Sequence, residues 1–154
     1  SPIVYKKAPE WDNIYNTAKS FFSAKASIYH YYGTAQNTFS SYLQGDEVKY
    51  KKYFYALRPL LACKYIENYK CPPPVLFDNL MELDMPRELR DAIEDLLEIK
   101  KITDEKDLNP QIPAISNFIA NELNTQKEIA ESIEDDHNKD WEALNKIFYE
   151  VINK

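Results

Sequence analysis

Lys51, Tyr55 and Arg58 stand at i, i+4 and i+7 in the stretch VKYKKYFYALRPLLACKYIENY, Val48 to Tyr69, with Lys52 at their border. On a helix of about 3.6 residues per turn, these four side chains share one narrow polar strip. Two or three cations beside a phenol suit an anion: the guanidinium fork and the ammonium point charge take phosphate, and the ring stacks or hydrogen-bonds. Around that strip the helix is apolar. Tyr50, Phe54, Leu57, Leu61 and Tyr65 form one side, and Tyr53, Ala56, Leu60 and Cys63 widen it over most of the circumference. A helix of this kind belongs in the middle of a domain, where cations lose hydration unless they meet water, a carboxylate or a phosphate. An ion pair with acidic residues of the same chain is the rival to ligand binding, and the plainer readings are a packed Tyr55 and a snorkelling Lys52. Lys25 and the pair His30-Tyr31, in the preceding segment, complete a cleft if that segment neighbours the central helix.

Other chemistry has little support. Gly33 and Gly45 are the two glycines, and neither stands in a phosphate-binding loop or a dinucleotide fingerprint. His30 and His137 lie far apart with no His or Cys at metal-ligand spacing, which disfavours a zinc centre or a Ser-His-Asp relay. Paired carboxylates are common after residue 71, but none has the apolar setting that tunes an acid or base, and Asp135-Asp136 reads as a solvated connector. Cys63 and Cys71 lack any partner pair, so two reduced thiols in a cytoplasmic protein are expected.

The elements that must position the strip read as helices. Pro9 to Phe22 repeats Trp11, Ile14, Tyr15, Ala18 and Phe22 at helical spacing. Ser23 is placed to cap a second helix, Ala24 to Leu43, with Ile28, Tyr32, Ala35, Phe39 and Tyr42 as its seam and His30, Thr34 and Asn37 opposite. Gln44, Gly45 and Asp46 form the turn, with Gly45 suited to a left-handed cap and Asp46 to the N-cap of the central helix. Pro59 removes an amide donor inside that helix, frees the Tyr55 carbonyl and predicts a bend beside Arg58. Cys71-Pro72-Pro73-Pro74 is an extended connector. A short helix follows over Val75 to Leu83. Another opens at Met85-Pro86 and runs to about Ile102, with Leu89, Ile93, Leu96 and Leu97 inward and Glu94, Asp95, Glu98, Lys100 and Lys101 outward. Thr103 to Pro113 is a loop. Ala114 to Ser132 and Asp140 to Ile152 are the last two helices, the latter carrying Trp141, Leu144, Ile147, Phe148 and Val151. The expected architecture is all-α, a single bundle of about seven helices around the central helix 48–69, in one domain over 1–154.

Length and charge fit this picture. A chain of 154 residues and 18.1 kDa has room for one core. Its net charge of −6 hides a division, because Ser1 to Lys70 holds 10 Lys+Arg against 5 Asp+Glu and Cys71 to Lys154 holds 9 against 20. Of the 21 aromatics, 16 lie in the first 70 residues, so the basic half is also the one with stacking rings. Attraction between the two halves within the fold is the alternative reading of this split. No segment has the roughly 18 to 20 continuous apolar residues of a membrane span. The opening Ser-Pro-Ile, without Met, suggests a stretch cut from something longer.

Several stretches together carry a family resemblance: SPIVY, SFFSAKASIYHYYGTAQ, VKYKKYFYALRPLLACKYIE, PPPVLFDNLMEL and, more loosely, IEDLLEIKKITDE. Through them, from Ser1 to about Glu105, the chain resembles the predicted nucleotidyltransferases of the DNA polymerase beta superfamily associated with RNA repair pathways; KYFYALRPLLAC is the specific part. In that family a mixed α/β palm carries a glycine-serine turn and an aspartate pair that holds two metal ions. This chain has no Gly-Ser dipeptide, no Asp-x-Asp and no predicted strand. The resemblance therefore implies the C-terminal helical domain without its palm: an accessory, substrate-binding domain, inactive alone. It implies no cofactor in this fragment and a divalent metal, magnesium, in the full-length enzyme. The implied partners are its own N-terminal catalytic domain and a nucleotide or RNA end, with no membrane. On that picture Lys51, Lys52 and Arg58 neutralise phosphate, Tyr55 and Tyr31 stack or hydrogen-bond, and Lys25 and His30 supply further donors. The alternative function is a protein-protein interaction module that uses the acidic C-terminal half.

Overall fold

A computed structural model describes residues 6–102 and 107–153, with the backbone alone at 100–102. The SPIVY stretch, the outward placement of Lys100 and Lys101 and the start of the Thr103 to Pro113 loop lie outside the described residues. Within them the chain forms seven helices and one two-residue ladder: α1 (Trp11–Lys19), α2 (Ala24–Tyr42), β1 (Glu47–Val48), α3 (Tyr50–Tyr69), α4 (Phe77–Leu80), α5 (Arg87–Ile102), β2 (Asn109–Pro110), α6 (Pro113–Ser132) and α7 (Trp141–Ile152). The fold is all-α, as expected.

α3 is the axis of the core. It packs against α2, α6, α4 and α5, and Tyr53, Ala56, Leu57, Leu60, Leu61, Cys63 and Ile66 on it are fully buried. Pro59 is buried within the same uninterrupted helix. The helix ends where Lys70 turns left-handed at φ 50°, its N–H bonding the Ile66 carbonyl at 2.8 Å. The three prolines that follow lack amide donors, so no further turn can form. Ser23 does cap α2: its backbone is extended and its hydroxyl accepts from the Ala26 N–H at 3.0 Å. On α5, Leu89, Ile93 and Leu96 are buried, while Glu94, Asp95 and Glu98 face solvent.

Three expectations need correction. Glu47 and Val48 belong to the antiparallel ladder with Asn109 and Pro110, not to the central helix, which starts two residues later. Neither glycine adopts a positive φ, and the residue preceding α3 is Lys49 with no side-chain cap. The turn is fixed from outside instead. Gln111 Nε2 donates to the Gly45 carbonyl at 2.5 Å, and the Gln111 amide to the Asp46 carbonyl at 3.3 Å. Lastly, the apolar stripes of α1 and α7 do not enter the core. The two helices pack on each other, neither buries a residue, and Trp11, Tyr15, Trp141, Phe148 and Val151 are exposed. Both are short, and their main contact is with each other, where a core helix has several.

Both cysteines are free thiols. Cys63 is sealed in the core with its Sγ 3.7 Å from the Ile28 carbonyl, and burial, reinforced by nearby Glu122, pushes its pKa up to about 12. It stays protonated and inert at neutral pH.

Candidate functional site

A groove of about 360 Å³ opens between α2 and α3, lined by His30, Tyr31, Thr34 and Thr38 from the first and Phe54, Tyr55, Arg58 and Pro59 from the second. The helices place these side chains by their period: His30, Thr34 and Thr38 are spaced by four, and Tyr55, Arg58 and Pro59 lie within one turn of α3. Thr34 and Thr38 donate their hydroxyls to the His30 and Thr34 carbonyls of their own helix at 3.0 and 3.1 Å. The wall is therefore mostly apolar. Its polar character comes from His30, the Tyr31 and Tyr55 phenols and the Arg58 guanidinium. His30 and Tyr31 meet edge-on at 5.4 Å.

Tyr55 and Arg58 are both exposed, Tyr55 at 46%. Among the described residues Arg58 makes no ion pair, so the internal carboxylate expected as its rival partner is not what holds it. Lys52 Nζ lies 3.8 Å from the Tyr42 ring centre and 5.2 Å from that of Tyr55, and Lys51 Nζ lies 6.0 Å from the Tyr55 ring. A cation over an aromatic face is attracted by the ring quadrupole. Pro59 has no N–H, which leaves the Tyr55 carbonyl without its usual helical donor.

The structure thus brings His30, Tyr31, Tyr55 and Arg58 together in one groove and sets Lys51 and Lys52 one turn away along α3. It does not bring Lys25 there. The Lys25 ammonium donates to the Ile133 carbonyl at 2.8 Å, where it covers the end of α6. Thr34, Thr38, Phe54 and Pro59 complete the lining and were not among the expected site residues. Thr38 was legible as the next step of the His30–Thr34 stripe, whereas Phe54 reads as core.

Asp135, Asp136 and His137 offer three ligand atoms within 4.8 Å of one another. Asp136 is already engaged: it accepts from Ser23 Oγ at 2.5 Å and from the Ala24 and Lys25 amides at 2.6 and 3.3 Å, and Asp135 holds the His137 ring. This cluster does not fit the two-metal site of a nucleotidyl-transferring palm, which needs carboxylates open to metal and nucleotide. Its role is to staple the connector before α7 onto the start of α2. Partial burial raises the Asp136 pKa, but the Ser23 hydroxyl and the two amides outweigh it and hold the carboxyl below its ordinary value. The contribution is therefore present above the ordinary carboxylate range and is lost as pH falls through the depressed value. Asp136→Ala is expected to cost about 1 kcal/mol at pH 7. Urea melts of variant and parent should begin to draw together as pH falls below the ordinary carboxyl value of about 4 and meet only below the depressed one.

Compared with known proteins, the chain belongs to the family described as RlaP, RNA repair pathway DNA polymerase beta family, which matches residues 1–150. The match runs past Glu105, where the sequence resemblance ended, and takes in α6 and nearly all of α7. A curated relative, the uncharacterized protein YcgL of Bacillus subtilis (strain 168), is 37% identical over 156 aligned residues. The alignment covers 100% of this chain and 60% of that protein. No solved structure matches significantly. Among the described residues no helix is long and apolar enough to cross a membrane.

Proposed function

We propose that this is the helical, substrate-holding domain of a metal-dependent nucleotidyltransferase, with the α2–α3 groove receiving the phosphate and base of a nucleotide or an RNA end. The observation that carries the reading is Arg58, an exposed guanidinium with no carboxylate partner among the described residues, at the rim of an apolar groove. A planar cation there neutralises a phosphate, and Tyr31, Tyr55 and His30 offer rings to a base. Lys51 and Lys52 extend the positive edge along α3. The family description, with its DNA polymerase beta and RNA repair terms, agrees with a nucleotide-handling role.

The catalytic carboxylates and their magnesium belong, on this reading, to the further chain of the longer protein, since the relative exceeds the aligned part by two-fifths of its own length. That further chain is the partner we assign to the exposed aromatic face of α1 and α7, where Trp141, Phe148 and Tyr149 are each about 60% exposed. The 154-residue domain alone is expected to transfer no nucleotide. The test is Arg58→Ala. It should weaken binding of a nucleotide or short RNA by about 2 kcal/mol while the thermal midpoint stays unchanged. A variant that melts and binds like the parent would remove the groove from consideration.

A further inference from the structure

A second hollow, of about 270 Å³, lies on the opposite side of the same strip, lined by Phe54, Tyr55, Arg58, Phe77 and Leu97. It shares Phe54, Tyr55 and Arg58 with the α2–α3 groove, so these three residues form a saddle between two hollows. Phe77 of α4 meets Phe54 edge-on at 5.7 Å and closes the far wall. Among the described residues neither lining contains a carboxylate, and each contains aromatic rings. The second hollow is smaller than the roughly 300–1,000 Å³ of sites that enclose a whole small ligand, so by itself it suits only a part of one.

Resting on the groove reading above, we infer that the saddle holds two consecutive nucleotides of a single strand, one base in each hollow and the phosphodiester between them over Arg58. One guanidinium between two apolar hollows matches one diester charge between two bases. A nucleoside triphosphate is distributed differently: it has a single base and its several charges lie together to one side. It would leave one hollow empty. Single strands are held in this way elsewhere, by rings under successive bases and a cation on the backbone, because unstacked bases can splay apart. The ligand class is therefore a strand end or an unpaired segment rather than the donor nucleotide.

The experiment is calorimetric titration of the chain at low salt with the dinucleotide ApA, with AMP and with ATP, repeated on Phe77→Ala and Leu97→Ala. ApA should bind at least tenfold more tightly than AMP or ATP. Both substitutions, which touch the second hollow alone, should bring ApA down to the level of AMP and leave AMP unchanged; Leu97→Ala gives the reading if Phe77→Ala unfolds. ATP or AMP binding as tightly as ApA, or ApA binding indifferent to both substitutions, overturns the two-nucleotide inference while the groove reading stands. No binding of any of the three overturns both.

Discussion

Leu60→Ala should lower the free energy of unfolding by about 2–5 kcal/mol, read as a lower urea midpoint at unchanged slope. Leu60 has no exposed surface and sits in one cluster with Leu57, Leu61, Leu80, Ile93, Leu96, Ile115 and Ile119. Those residues come from α3, α4, α5 and α6, so the space left by the lost atoms is walled by several helices that cannot all move inward. The cost of a buried deletion grows with the cavity that remains. Trp141→Ala is the contrast: its side chain is larger, but it is 63% exposed. That change should stay within about 0.5 kcal/mol. A Leu60 variant that loses less than about 1 kcal/mol would show that α3 is not the element on which the others rest.

α3 was legible because its apolar residues cover nearly the whole circumference, and no surface helix has that pattern. The polar strip was legible for the complementary reason: cations on such a helix are few, and their spacing puts them on one line. What local pattern does not carry is a partner far along the chain. Val48 continues the apolar periodicity of α3, and only pairing with Asn109 makes it a strand. Lys25 shares its helix with His30, but its ammonium is drawn to the Ile133 carbonyl, more than a hundred residues away. The amphipathic stripes of α1 and α7 predict that a face is covered without saying by what; the two helices touch, yet Trp11, Tyr15, Trp141, Phe148 and Val151 stay exposed. Phe77 and Leu97 reach Arg58 from α4 and α5, so the second hollow depends on how three helices converge.

Gln126 shows how a buried polar site can be more sensitive than an apolar one. It has no exposed surface, and its Nε2 donates to Glu122 Oε1 at 2.8 Å and to Glu67 Oε2 at 3.1 Å. Its Oε1 is buried with no hydrogen-bond partner among the described residues. One amide group thus holds two carboxylates of α3 and α6 apart, and the ammonium of Lys64 lies 3.4 Å from Glu122. Replacing Gln126 by Glu removes both donors and sets a third anion between the two, against that cation. At neutral pH the loss should be about 3–5 kcal/mol, the scale for an uncompensated buried charge. The new carboxyl is penalised when charged, so its folded pKa is raised. The gap from the parent should be smallest below the ordinary carboxyl value of about 4, where only lost hydrogen bonding counts, and widen as pH rises through the raised one. Urea melts of both proteins between pH 4 and 7 read this directly. Equal stability at pH 7 would mean that the three carboxylates separate, and that the contact between α3 and α6 is not held at this point.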